Sequence, residues 1–416
     1  MKWNSEQAEA ELTKWFTPSK PATHNYVGRG TLDRTIFREF AQQGRQVLVF
    51  GPTGAGKTSM VLDNLSKLKK TYATDYIRVS MTNSTTIESF IANVAYKLDL
   101  VRSVQTIKTA EAHQNLEAGI KQWISLAASK QRTTTQQEVT EQYIGTDDFV
   151  ILEEILFKRN TVLVVDDMEN LSEQAQSLQI RLAEIAKNMS DDAVNYEDSY
   201  AKIVFVGIAR TAEELWRDVQ SLKSRLATIS VPYLSDNESE KIIENGWNKA
   251  HLVSSEGQVK RAAYISSGIG KVVHELGQKT GYATLDDDSW TVEDQYIDGA
   301  IQETFAVNEL TFKSLFDKAK NKTSTKTTVR NYVLYVMAND DRTSMTTQGI
   351  LKAVNELRNN GTMGLNSLSP AITDLKKLGI LTSENRNSWH FTDPMFKAYV
   401  RDHQDDLLLK GNRNSQ

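Results

Sequence analysis

The sequence contains no cysteine, which excludes disulfides, thiolate metal centres and a cysteine nucleophile. Its six histidines lie at positions 24, 113, 251, 274, 390 and 403 without the spacing of metal ligands, so a protein-built zinc site is not expected. Long apolar runs are missing as well. Apolar fragments such as Val47–Phe50 and Val162–Val165 fall far short of the ~20 residues of a membrane-spanning helix. The opening MKWNSEQAEAELTKWF has no apolar core of a signal peptide, and the expectation is a cytoplasmic protein with no membrane partner. What is present suits folded domains. With 39% hydrophobic and 25% charged residues the chain is no disordered tail, and 416 residues make two or three domains at roughly 150 each.

The net charge of −4 hides an asymmetry. Residues 311–416 carry 16 lysines and arginines against 10 acids, which leaves the acidic excess to the first 310. A polyanionic partner, if there is one, is therefore expected at the C-terminal end.

Helix and strand signals alternate along the first half. Leu32, Ile36, Phe37 and Phe40 are spaced for a helix over 30–43, and Gly44 ends it. Gln46–Phe50 is a continuous apolar strand of the kind buried on both faces of a parallel sheet. Helices are expected at 58–69 and 86–98, and strands at 75–80, 161–165 and 202–206. Residues 102–143 are rich in Gln, Thr, Ser and Lys and read as an insertion. Such alternation predicts an α/β fold on a parallel sheet.

The strongest chemical signal follows the first strand: Gly51-Pro52-Thr53-Gly54-Ala55-Gly56-Lys57-Thr58, then Ser59. This is the complete phosphate-loop pattern. The glycines let backbone N–H groups turn inward and cradle phosphate oxygens at a helix N-terminus. Lys57 places a charge against the β and γ phosphates, and Thr58 offers a hydroxyl to Mg²⁺. The chemistry also needs an acidic strand. Val162–Val165 followed by Asp166 and Asp167 supplies it at the end of a parallel strand where ligands bind. Asp166 is the expected metal ligand. Asp167 is the expected orienter of the attacking water, with Glu169 the other candidate for that base.

These motifs resemble the AAA+ and STAND-type P-loop ATPases of the Orc/Cdc6 and TniB-like branch. The likeness begins at Tyr26-Val27-Gly28-Arg29 and continues through VVDDMENL (164–171), KIVFVGIARTAEEL (202–215), SLKSRLATISVPYLSDNESEKII (221–243) and SSGIGKVVHELG (266–277), to FTDPMFKAYV (391–400). It implies that Val27, Gly28 and Arg29 contact the adenosine and that Ile208 to Arg210 form sensor 1. It also implies that Arg225 is a finger reaching a neighbouring subunit's ATP and that Lys271 is sensor 2. Arginine suits a finger because its charge is permanent and its fork spans two phosphate oxygens. Asp167 stands where the family usually has Glu, which points to slow turnover, and Gly270 stands where STAND members often have Pro.

The organisation so implied is an N-terminal helix and linker (1–24), a P-loop core (25–233, insertion 102–143), a helical lid (234–306), a winged helix-turn-helix domain (307–402) and a flexible tail (403–416). In the last domain, three helices precede a hairpin around residues 383–388. The third helix would offer Asn366, Ser369, Asp374, Lys376 and Lys377 to a major groove, with Arg386 and Asn387 at the wing tip touching phosphate. Two functions fit. One is an ATP-driven switch that binds ATP or ADP, forms a homo-oligomer and signals to a separate effector protein, as in prokaryotic anti-phage defence. The other is a duplex-DNA-binding ATPase of the replication-initiator or transposition-regulator kind.

Overall fold

The computed structural model describes residues 4–100, 149–171, 176–208, 220–306, 308–321, 328–340, 342, 344–358, 361–385 and 388–408. The insertion expected at 102–143, Ala209 and Arg210 of the expected sensor 1, Arg386 and Asn387 of the expected wing and most of the expected tail lie outside the described residues. The chain forms two compact units. One comprises Gly30–Gly51 and Met60–Ser230, the other Met1–Arg29, Pro52–Ser59 and Val231–Gln416.

Five parallel strands make the sheet of the first unit: β1 (Gln46–Phe50), β2 (Asp75–Ser80), β3 (Thr161–Asp166), β4 (Ile203–Gly207) and β5 (Leu226–Ser230). Their order is β2-β3-β4-β1-β5. The three central strands β3, β4 and β1 are the apolar runs of the sequence, and they are buried nearly end to end, as helices on both faces require. Two helices of this unit, Phe149–Lys158 and Gln176–Asp192, were not expected from the sequence. The first begins right after the polar stretch, yet its buried Phe149, Leu152, Glu153, Leu156 and Phe157 follow a helical stripe.

Lys202, immediately before β4, is fully buried, and its ammonium donates to the carbonyls of Glu39 (3.1 Å) and Gln42 (2.5 Å). It thereby satisfies acceptors at the C-terminus of the helix Thr31–Ala41. Burial pulls its pKa down to about 7.

The strand order fixes two edges. At the C-terminal edge, β1 runs into Gly51, β4 into Ile208, and β3 ends on Asp166. At the opposite edge, Arg225 precedes β5, and its carbonyl accepts the N–H of Gln46 at the start of β1 (2.9 Å).

The second unit is helical around its N-terminal helix Ser5–Trp15, which opens on a capping box between Asn4 and Gln7. Phe16 lies against Gly246 and Gly277, where a Cβ would come within 2.2 and 2.3 Å of its ring. Those glycines sit on the helices Asp236–Lys249 and Gly270–Asp286. Glu256–Ile265 and Asp294–Ala306 complete this group. The lower end of the unit runs helix Val329–Asn339, β6 (Met345–Thr346), helices Thr347–Leu357 and Leu365–Lys377, β7 (Leu381–Asn385), β8 (Ser388–Phe391) and helix Pro394–Asp402. These three strands form an antiparallel sheet in the order β6-β8-β7. Arg401 is 1% exposed, and its guanidinium donates to the carbonyls of Ala338 (3.0 Å) and Tyr264 (2.8 Å), anchoring the last helix.

Candidate nucleotide-binding site

The phosphate loop turns on two glycines with left-handed backbones, Gly54 (φ 81°) and Gly56 (φ 82°). Gly54 is constrained twice, because a Cβ there would also stand 2.7 Å from Ile269 Cγ2. At Gly56 a Cβ meets nothing within 4 Å, so the dihedral alone demands glycine. The loop is held from outside by two contacts. Gly270 N–H donates to the Gly54 carbonyl at 2.7 Å. Arg29, with a side chain 5% exposed, donates from Nη1 to the Ala55 carbonyl (3.2 Å) and from Nη2 to the Tyr233 carbonyl (2.5 Å). Its Nε lies 3.5 Å from Glu238 Oε2. Of the three residues expected around the adenosine, Arg29 thus has its guanidinium on the loop backbone, Val27 is half-buried and Gly28 is exposed.

Lys57 is 7% exposed and rests its Nζ on the Pro52 carbonyl at 3.1 Å, inside the loop that it would serve. Thr58 is half-buried in the first turn of the helix Lys57–Tyr72. The Ser59 hydroxyl accepts the Ala22 N–H at 2.9 Å. Lys271 is exposed, one residue beyond the Gly270 that contacts the loop.

In the other unit, Asp166 is 1% exposed and fully engaged. Its Oδ1 accepts the Asp167 N–H at 2.8 Å, and its Oδ2 accepts Arg78 Nε at 2.7 Å. Asp167 takes a left-handed backbone (φ 59°), and its Oδ2 lies 3.8 Å from Arg78 Nη2. Glu169 is half-buried in the single 3₁₀ turn Met168–Asn170. Sequence reasoning missed Arg78. The available signal was a lone arginine in the strand Asp75–Ser80, on the face opposite Ile77 and Val79. Pairing Arg78 with Val164 and Ser80 with Asp166 brings that face alongside the acid.

Arg225 forms an ion pair with Asp191, with Nη2 at 2.7 Å and Nε at 2.9 Å from Oδ1. Lys187 also approaches this acid (3.1 Å). Hydrogen bonds from Arg225 and then Lys187 hold the Asp191 carboxyl below the usual range. Arg225 therefore lies at the sheet edge opposite the one that carries Asp166.

The Thr58 hydroxyl and the Asp166 carboxylate are each hard oxygen donors, the kind that magnesium takes, and the chain has no cysteine thiolate. At the C-terminal end, Asn366, Ser369, Lys376 and Lys377 are all exposed on the helix Leu365–Lys377.

Residues 16–265 match the family described as Novel STAND NTPase 1. No curated protein matches the chain. Among solved structures, the Walker-type ATPase of Pyrococcus abyssi is 14% identical, with 94% of this chain and 99% of that one covered, at a TM-score of 0.49. Cdc6p from Pyrobaculum aerophilum is 15% identical over 95% and 98%, at 0.47. The Aeropyrum pernix ORC1 protein, solved in complex with DNA, is 16% identical over 96% and 97%, at 0.42.

Proposed function

Since this chain belongs to the novel STAND NTPase 1 family, we propose that it is a magnesium-dependent ATPase of slow turnover that acts as a nucleotide-controlled switch. The observation that carries this reading is the phosphate loop. Its two positive-φ glycines and its lysine folded back onto Pro52 support a loop that cradles phosphate.

In this reading the loop N–H groups and Lys57 bind the β and γ phosphates. Lys57 exchanges the Pro52 carbonyl for phosphate oxygen, a gain because a charge-assisted bond to an anion exceeds one to a neutral carbonyl. Thr58 and Asp166 would hold Mg²⁺, which supplies charge neutralisation for phosphoryl transfer. Asp167 or Glu169 orients the attacking water. Arg29 keeps the loop in shape by binding its backbone, and Lys271 meets the phosphate from the lid. Isothermal calorimetry with ATP–Mg²⁺ tests the proposal. Wild type should bind, Lys57→Ala should not, and a wild type that takes up no nucleotide ends this reading.

We also propose that turnover requires a homo-oligomer. Arg225 and Asp166 lie at opposite edges of one sheet, so Arg225 serves a phosphate only on another copy, after leaving Asp191. The switch would then pass its state to a separate effector protein. A second reading, contact with duplex DNA, is favoured by the net +6 of residues 311–416 and by the exposed Lys376 and Lys377. Residues 307–402 are then a winged helix with Leu365–Lys377 as its reading helix. Anisotropy with a labelled duplex at several salt concentrations tests it. Neutralising roughly four phosphates gives a log K against log salt slope near −3.6, and Lys376→Ala with Lys377→Ala should flatten it.

A further inference from the structure

The C-terminal end carries a cavity of about 720 Å³ between the start of the helix Thr347–Leu357, the helix Leu365–Lys377 and strand β8. That is within the range of small-ligand sites, roughly 300–1,000 Å³. Its apolar wall is the indole of Trp389 with Leu365 and Ile372; its polar lining includes Gln348, Ser369 and Thr373. The indole is held in place, because Trp389 Nε1 donates to Thr347 Oγ1 at 3.0 Å. The Ser369 hydroxyl is turned back onto the Leu365 carbonyl (2.9 Å). Gln348 and Thr373 are exposed and bring an amide and a hydroxyl to the cavity. Among the described residues, none that lines the cavity is charged.

The charge stands at the rim. Lys376 Nζ is 5.8 Å from the centre of the Trp389 ring, and Lys377 follows it. The acid on the same helix, Asp374, lies 3.9 Å from Arg330. An uncharged cavity with an aromatic wall and hydrogen-bonding groups, beside lysines, fits a ligand with one flat neutral heterocycle on an anionic backbone. We propose that this cavity binds one unpaired nucleobase of a single-stranded nucleic acid, with the adjoining phosphates on Lys376 and Lys377. A base inside a duplex enters only after it is unpaired and unstacked, at a cost of a few kcal/mol that a single strand does not bear. The Gln348 amide, donor and acceptor together, can pair with a base edge, while the indole supplies a stacking or edge contact. The proposal is independent of the ATPase reading. It shares Ser369 and the lysines with the duplex reading but requires the opposite strand preference.

Fluorescence anisotropy on the full-length protein separates these possibilities. The probes are a short labelled mixed-sequence DNA strand, its duplex, and a strand of equal length made of abasic residues. The expected result is single-strand binding about tenfold or more tighter than duplex binding, and loss of most affinity on the abasic strand, since each stacked base contributes roughly 5- to 150-fold. Thr373→Glu places a carboxylate at an exposed position of the cavity, where folding should tolerate it, and should weaken single-strand binding about tenfold. Trp389→Phe should keep most of the affinity. Equal or tighter duplex binding overturns the proposal in favour of groove reading. Undiminished binding of the abasic strand overturns it in favour of plain charge attraction, undiminished binding by the Thr373→Glu protein overturns it by putting the contact elsewhere, and no binding of any probe overturns it outright.

Discussion

Arg78 and Asp166 are joined by a 2.7 Å hydrogen bond from Nε to Oδ2, across neighbouring parallel strands. The carboxylate is 1% exposed and the arginine side chain is one-third exposed. A buried carboxylate without a cation is costly, and here the Arg78 guanidinium supplies that cation.

Removing that cation has a defined consequence. Arg78→Ala should destabilise the nucleotide-free protein by about 1–3 kcal/mol in chemical denaturation, because Asp166 keeps its burial and loses a charged donor. Saturating ADP and magnesium should narrow the gap, since binding to the folded state adds stability and brings a cation. A gap of equal size with and without magnesium nucleotide would mean that Arg78 and the metal do not share the acid.

The loop glycines should respond unequally to alanine. At Gly56 the cost is backbone strain alone, about 1 kcal/mol, with some nucleotide binding retained. At Gly54 the same strain is joined by a 2.7 Å clash with Ile269. Gly54→Ala should therefore lose nucleotide affinity more severely, and adding Ile269→Ala should recover only the steric part. Calorimetric ATP titration of the three proteins measures the difference.

The choice of base is settled by two isosteric changes. Asp167→Asn should bind ATP with near-normal affinity and stop turnover, as a group acting only in the chemical step does. Should Glu169→Gln be the inactive one while Asp167→Asn hydrolyses normally, the base is Glu169. Phosphate release under single-turnover conditions reads both.

Complementation tests the oligomer. Arg225→Ala subunits keep a complete acidic strand, and Asp167→Asn subunits keep a finger, so mixing the two inactive proteins should restore part of the turnover. A finger contributes roughly 10³–10⁵ in rate in related phosphoryl transfers, so partial rescue is visible. Unchanged activity of Arg225→Ala alone would leave the residue as the partner of Asp191 and nothing more.

Glu153 gives a pH signature. It is 4% exposed, and burial first, then the charge of Asp192 and a hydrogen bond with it, raises its pKa from 4.5 to about 8. Between those values the unfolded chain has released a proton that the folded chain retains, so this group weakens folding increasingly as pH rises from 4.5 to 8. Below 4.5 the penalty is absent. Glu153→Gln should therefore raise the free energy of unfolding at pH 8, by an amount on the order of 1 kcal/mol, and change it little near pH 4. A stabilisation equal at both pH values would rule out the titration.

How much of this was legible beforehand depended on whether the cause was local. The apolar runs Gln46–Phe50 and Thr161–Val165 gave away buried parallel strands because burial on both faces leaves no polar alternation to confuse them. The phosphate loop was legible because positive φ and a helix N-terminus are demands made residue by residue. The helix Phe149–Lys158 was not read, since its stripe begins directly where a polar stretch ends and a short apolar run is ambiguous between helix and strand.

The sequence by itself determined the chemistry on offer: the eight-residue loop, two adjacent acids after an apolar strand, no thiols, and a basic final quarter. Only the tertiary structure decided the company these groups keep. The order β2-β3-β4-β1-β5 placed Arg78 beside Asp166, and the parallel direction of the strands put Arg225, just before β5, at the opposite sheet edge, where Asp191 holds it. The folding of residues 22–29 and 231–270 against the loop put Arg29 on the Ala55 carbonyl and Ile269 over Gly54. These pairs are separated by 26 to 215 positions in the chain. No periodicity or local propensity spans such distances; strand pairing and close packing do.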